Sequence, residues 1–206
     1  MSIVTISREF GSGGREVGKR LADALGYAYY DREIVTAIAQ KNRLDEDYVA
    51  SALSRGMYRN IPLHFGRTFT YSAAMMTDTT NLFVEQHRII RELAANDNCI
   101  IVGRAAGVIL REQDPFKLFV HADMASKVKR CQARAGEDEH FTDREMERRI
   151  KKIDSERARY HELFSGIDWG DKAGYHLCLN TTGAEIKAVI PSLAEYIRCW
   201  FENKEK

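Results

Sequence analysis

Gly11, Gly13 and Gly14, with Ser12 among them, follow an apolar run and precede an amphipathic one in the string Ile3-Val-Thr-Ile-Ser-Arg-Glu-Phe-Gly-Ser-Gly-Gly-Arg-Glu-Val-Gly-Lys-Arg-Leu. Glycine accepts backbone angles that a Cβ forbids, so the N–H groups of such a turn can converge on an anion at the positive end of the next helix. Arg8, Arg15 and Lys19 add cations around it. The pattern points to phosphate binding by Gly11 to Glu16. A tight turn that binds nothing would use the same glycines, and the setting favours the phosphate. Val4 and Ile6 suit a central strand, while Val17, Leu21, Ala24 and Leu25 recur at helical spacing until Gly26 stops the helix.

Three registers compete for this turn. Gly13 to Lys19 fits the G-x-x-x-x-G-K spacing, but it ends on Arg20 where Ser or Thr should hold magnesium, and it sets Lys19 more than a turn into the helix. Starting the loop directly after Ser7 puts Gly13 at the second glycine, Gly14 at the lysine position and Arg15 at the hydroxyl position. The loop shape survives there without the lysine that reaches the β and γ phosphates, and Arg15 is the nearest substitute. A dinucleotide turn would use Gly11 and Gly13, with Asp31 about twenty residues on as a ribose ligand. Its third glycine, however, falls on Glu16, a carboxylate where helix and strand should meet closely.

The elements that must position these residues alternate along the chain. Asp31–Gln40 and Asp45–Leu53 read as short helices opened by N-capping aspartates, and the mixed aromatic and basic stretch from Arg55 to Tyr71 has no period. A helix over Thr80–Ala95 feeds the apolar run Asn98-Cys-Ile-Ile-Val-Gly-Arg104, which sets Arg104 at the carboxyl end of a strand. That edge is where open parallel sheets bind ligands. Phe116–His121 is a further strand, Met124–Arg134 a basic helix, Tyr175–Thr181 the last strand and Ala184–Phe201 the closing helix. Residues 129 to 161 are dense in cations, and interleaved Glu145, Glu147 and Glu156 mark most of that stretch as a solvated face. Arg130, Arg134, Arg157 and Arg159 are the exceptions. Two helices meeting over a phosphate site would bring such planar, bidentate donors onto a transferring phosphoryl group.

Composition bounds the rest. A chain of 206 residues fits one α/β domain. Its 31 Lys plus Arg nearly balance 30 Asp plus Glu, so no strongly basic balance announces nucleic acid. Cys99, Cys131, Cys178 and Cys199 form no Cys-x-x-Cys pair, which argues against zinc and against a disulfide framework. There is no leader pattern and no apolar run of membrane-spanning length, so a cytoplasmic protein is expected.

The order βα, inserted helices, βα, βα, basic helices, βα resembles a nucleoside monophosphate kinase. Three segments narrow the resemblance to the cytidylate kinase-like family: Ser7-Arg-Glu-Phe-Gly-Ser-Gly-Gly-Arg-Glu-Val-Gly, Tyr30-Asp-Arg-Glu-Ile, and Gly103-Arg104 followed after a helix by Asp114-Pro-Phe-Lys-Leu-Phe-Val. With the arginine-rich helices it covers nearly the whole chain. The resemblance implies a P-loop NTPase-type fold, a parallel five-stranded sheet flanked by helices. A core of about 1–30, 96–125 and 172–206 would carry an acceptor-binding insert over about 31–95 and a lid over about 126–171 within one domain.

It also implies ATP, Mg2+ and a phosphorylated small acceptor such as a nucleoside monophosphate. Gly11, Ser12, Gly13, Gly14, Arg15 and Glu16 would then take the donor phosphates, and Asp31, Arg32 and Arg104 the acceptor. Arg15, Arg130, Arg134, Arg157 and Arg159 would stabilise the transfer, with no metal site built from protein ligands alone. Small-molecule nucleotides are the expected partners, without nucleic acid or membrane, and a homodimer stays open. Two residues depart from a true cytidylate kinase. Ala105 follows Arg104 where that enzyme has an Asp toward cytosine, and Arg32 stands where it has a serine, which suits an acceptor more negative than CMP. The alternative is a nucleotide-binding regulatory protein that keeps the fold with little or no turnover.

Overall fold

The apolar run at the start of the chain forms β1 (Ile3–Arg8), which lies at the centre of a parallel sheet. On one side β3 (Cys99–Val102) pairs Cys99 with Ile3 and Val102 with Ile6, and on the other β4 (Phe116–His121) pairs Phe116 with Val4 and Val120 with Arg8. β2 (Ala28–Tyr30) extends the sheet beyond β3 and β5 (Leu177–Asn180) beyond β4, giving the order β2-β3-β1-β4-β5. Parallel neighbours need crossovers, so helices separate the strands: α1 (Gly14–Leu25), α2 (Glu33–Asn42), α3 (Phe69–Asn96), α4 (Ala106–Ile109), α5 (Met124–Gln132), α6 (Asp143–Ser165) and α7 (Ile186–Lys204). The expected five-stranded parallel sheet with flanking helices is therefore the fold. This computed structural model describes residues 1–31, 33–43, 46, 69–135 and 141–204, and in 33, 42 and 69–80 the backbone only.

Both faces of the sheet are covered, which is why its central strands read as continuous apolar runs. Ile34 and Ile38 of α2, Ile90 of α3 and Leu110 pack on one face with Ile101. Val17 and Leu21 of α1 and Ile190, Leu193 and Ile197 of α7 pack on the other with Val4, Ile6, Ile100 and Leu118. Each such buried aliphatic side chain contributes about 1.5–3 kcal/mol relative to exposure. Midway along, α1 comes close to the sheet at Gly18, where a Cβ would lie 3.0 Å from Val102, 3.1 Å from Tyr29 and 3.2 Å from Ile6. Gly18, two residues after Glu16, is thus a close-approach glycine.

Some boundaries differ from the sequence expectation. α3 starts at Phe69 rather than Thr80: Ala73, Ala74, Met75 and Met76 favour helix, and the threonines after them disguised its continuity. α2 starts at Glu33, and Asp31, expected as its N-cap, has its carboxylate on Arg8 and Arg15. The helix expected over Asp45–Leu53 and most of the Arg55–Tyr71 stretch lie outside the described residues. α6 opens with a full capping box, Thr142 and Glu145 bonding each other's backbone N–H, and it ends at Gly166 in the left-handed conformation. No described helix is long and apolar enough to cross a membrane.

Candidate functional site

The carboxyl ends of β1 and β3 lie side by side, and each gives way to backbone that only a few residue types adopt readily. After β1, Gly11 and Gly13 have φ of 78° and 83°. After β3, Gly103, Arg104 and Ala105 have φ of 80°, 56° and 50°, so two non-glycine residues in a row hold left-handed angles. Such conformations cost of order 1–3 kcal/mol each and persist where surrounding structure enforces them. Here they aim the turn after β3 toward the loop after β1.

The glycine loop is held from several sides. The Glu9 N–H donates to Val120 C=O (3.0 Å), the buried Ser12 hydroxyl to Glu9 C=O (2.8 Å), and the Thr181 hydroxyl to Ser12 C=O (2.7 Å). A Cβ on Gly13 would fall 2.2 Å from Ile186, and one on Gly11 2.8 Å from both Cys131 Sγ and Lys127 C=O. Gly13 is the N-cap of α1 and offers no side-chain cap, so the first-turn N–H groups have no intrahelical acceptor and face the opening beside Gly13 and Gly14. Ser12 supports the loop from inside and does not present its hydroxyl to a ligand.

Two cavities meet at this edge. One, of about 320 Å³, lies between the loop (Gly11, Gly13, Gly14) and the basic faces of α5 and α6, with Arg130, Arg134 and Arg149 among its walls. The other, of about 280 Å³, lies before the turn after β3 and is lined by Arg104, Tyr160, His161 and Trp169. Arg8, Arg15 and Arg157 line both.

Most of the arginines are positioned by bonds to the scaffold. Arg130 donates to the C=O and Oγ1 of Thr181, Arg134 pairs with Glu16 at 2.7 Å, and Arg157 donates to Arg8 C=O at 3.0 Å while lying 3.7 Å from Asp154. Arg15 Nε is 2.6 Å from Asp31, with its side chain 57% exposed. Lys127, buried, joins Glu9 (3.0 Å) to Asp154 (3.3 Å), and Asp154 also accepts the Phe10 N–H at 2.6 Å. This network ties the loop to α5 and α6. Arg159, expected at the site, is exposed and lines neither cavity. Arg32 lies outside the described residues. Lys19 is exposed on α1 and lines neither cavity, in keeping with the register that starts after Ser7.

The electrostatics are those of several guanidinium groups buried close together. Burial, then repulsion from Arg157, Arg15 and Arg104, pushes the Arg8 guanidinium down to about 9, with Asp31 pulling the other way. Arg104 and Arg157 are also held below the usual arginine range, by burial first and by neighbouring guanidinium groups. Arginine stays charged in proteins, so the lowering expresses the cost of keeping these guanidinium groups buried and close to one another. Burial raises Asp154 against the pull of the Phe10 N–H, Lys127 and Arg157. Among the described residues no three His, Cys, Asp or Glu side chains gather as a metal site, and Glu9, Glu16 and Asp31 are each engaged by a cation.

Several residues of the site escaped sequence reasoning. Arg149 and Asp154 lie within the charge-dense stretch, where only the helical face distinguishes them, and Thr181 is an ordinary strand-end threonine until Ser12 is placed against it. Arg8 was legible as a nearby cation only. Its position where the loop pattern has a first glycine was the signal.

The description of the cytidylate kinase-like family matches residues 3–183. The cytidylate kinase of Haloarcula marismortui is 28% identical over 190 residues, which is 91% of this chain and 85% of that protein. An uncharacterized protein from Eubacterium ventriosum superposes with a TM-score of 0.70 at 23% identity, covering 96% of this chain and 99% of that one. Shikimate kinase from Bacteroides thetaiotaomicron does so with a TM-score of 0.57 at 13% identity, covering 96% and 98%. Likeness at such identities speaks for the fold.

Proposed function

Because the chain belongs to the cytidylate kinase-like family, we propose that it transfers the γ-phosphoryl group of ATP to a nucleoside monophosphate or a similarly phosphorylated small molecule. The observation that carries this reading is the pair of cavities that share Arg8, Arg15 and Arg157, one against an uncapped glycine loop and the other against Arg104. Phosphoryl transfer needs donor and acceptor in line with cations between them, and little else from the protein. An acceptor phosphate is largely dianionic at neutral pH and attacks without a general base.

In this reading Gly11 to Glu16 take the donor phosphates, and Arg104 takes the acceptor phosphate, with Asp31 and Arg32 beside it. Arg157, Arg130 and Arg134 close from the side of α5 and α6, which act as a lid over residues 126–171, while residues 31–95 help to enclose the acceptor. The guanidinium groups neutralise charge spread over the equatorial oxygens, and closure excludes water that would otherwise hydrolyse ATP. Magnesium would arrive with the nucleotide, held by phosphate oxygens and water, and it would supply further charge neutralisation. Glu9 and Asp31 are the carboxylates at hand to order its waters. The ATP requirement suits the cytoplasm.

Calorimetric titration tests the donor half. ADP should bind more tightly than NAD, because Glu16 occupies the third dinucleotide glycine and α1 approaches the sheet at Gly18 instead. Tighter binding of NAD would contradict the reading. A second reading, a regulatory nucleotide binder without turnover, draws on Gly14 at the lysine position and on Arg15 being tied to Asp31.

A further inference from the structure

We infer that Arg8 does the work of the missing loop lysine, reaching the transferring phosphoryl group from the strand side of the loop while Gly14 keeps the helix side clear. The inference rests on the phosphoryl-transfer reading and says which residue completes it. In the register starting after Ser7, the pattern G-x-x-x-x-G-K would place glycine at 8 and lysine at 14, and this chain has arginine at 8 and glycine at 14. The cation and the glycine have changed places.

Geometry makes the exchange compulsory. A Cβ on Gly14 would fall 2.5 Å from Arg8 Cβ and 2.8 Å from Arg8 Cγ, so the loop has room for a side chain at one of the two positions only. At the far end of the same side chain, a Cβ on Gly103 would fall 1.9 Å from Arg8 Nη1. Arg8 therefore runs from the glycine loop to the turn that carries Arg104, across the junction of the two cavities. Its side chain is 14% exposed, its nearest carboxylate is Asp31 at 3.5 Å, and its Nε has no hydrogen-bond partner among the described residues. A guanidinium with five donors, held this loosely by its own protein and facing both cavities, is free to bind oxygens of the phosphoryl group between donor and acceptor. Arg15, by contrast, approaches Asp31 from the solvent side.

The test compares wild type with Arg8→Gly, Arg8→Lys, Gly14→Lys and the double variant Arg8→Gly/Gly14→Lys, following folding by thermal melting and binding of ATP and ADP by calorimetry. Arg8→Gly should weaken ATP about ten- to hundredfold and ADP much less, the scale of one lost charge-assisted contact to the terminal phosphate. Arg8→Lys should lose less than Arg8→Gly. Gly14→Lys alone should melt lower because its stem meets Arg8. The double variant should recover both melting temperature and the preference for ATP over ADP, a rescue that a purely structural Arg8–Asp31 pair cannot produce. An unchanged ATP preference in Arg8→Gly overturns the inference while leaving the kinase reading standing, as does a folded double variant that binds ATP no better than Arg8→Gly. Loss on Arg15→Ala in place of Arg8→Gly has the same meaning. Wild-type protein that binds neither nucleotide overturns the kinase reading and the inference with it.

Discussion

Arg104 was legible because a strand of Ile and Val ended in Gly103-Arg104, and the carboxyl edge of a parallel sheet is where its chemistry lies. The structure adds that it is held at a φ of 56° beside Arg8, Arg15 and Arg157. Arg104→Ala should raise the acceptor KM or lower turnover roughly ten- to thousandfold and leave ATP affinity nearly unchanged, as steady-state kinetics and calorimetry would read. Equal loss of ATP binding would make the residue structural. Arg159 shows what charge density alone cannot tell. It is two residues from Arg157, so the two side chains leave α6 about 200° apart, and only Arg157 faces the cavities. Arg8 stayed hidden for a different reason: its meaning lies in contacts with Gly14 and Gly103, and no local pattern contains all three.

At the scale of elements, the central strands were legible as apolar runs, since burial on both faces leaves a strong signal, whereas their order in the sheet was not. Helix limits were less legible. Asp31 looked like a cap because its type suits one, yet tertiary ion pairs claim its carboxylate. Two elements can be tested directly. Gly18→Val should destabilise the protein by about 1–3 kcal/mol in urea denaturation, because β-branched bulk would enter gaps of 3.0–3.2 Å against Val102, Tyr29 and Ile6. Stability at wild-type level would mean that α1 is not seated as described. Thr142→Ala removes the capping box of α6 and should cost about 1 kcal/mol, with faster hydrogen exchange confined to the first turns of that helix.

For the whole molecule, a net charge of +1 does not describe the edge where Arg8, Arg15, Arg104, Arg130, Arg134 and Arg157 line two adjoining cavities. Composition could not show this. Inorganic tripolyphosphate should therefore raise the melting temperature where sodium chloride of equal ionic strength does not. Saturation a hundredfold above its Kd would add about 2.7 kcal/mol. The fold and the family were legible from the order of elements and the glycine loop; the acceptor was not, because the second cavity is lined by residues as distant in sequence as Ser7, Arg104 and Trp169. The central claim is transfer, and the most direct measurement is product analysis after incubation of the protein with ATP labelled at the γ-phosphate, magnesium and a panel of nucleoside monophosphates and other small phosphomonoesters. Label should move to at least one acceptor with stoichiometric formation of ADP, and Arg104→Ala should abolish or severely slow that movement. Tight nucleotide binding with label moving to no acceptor would contradict it and favour the regulatory reading.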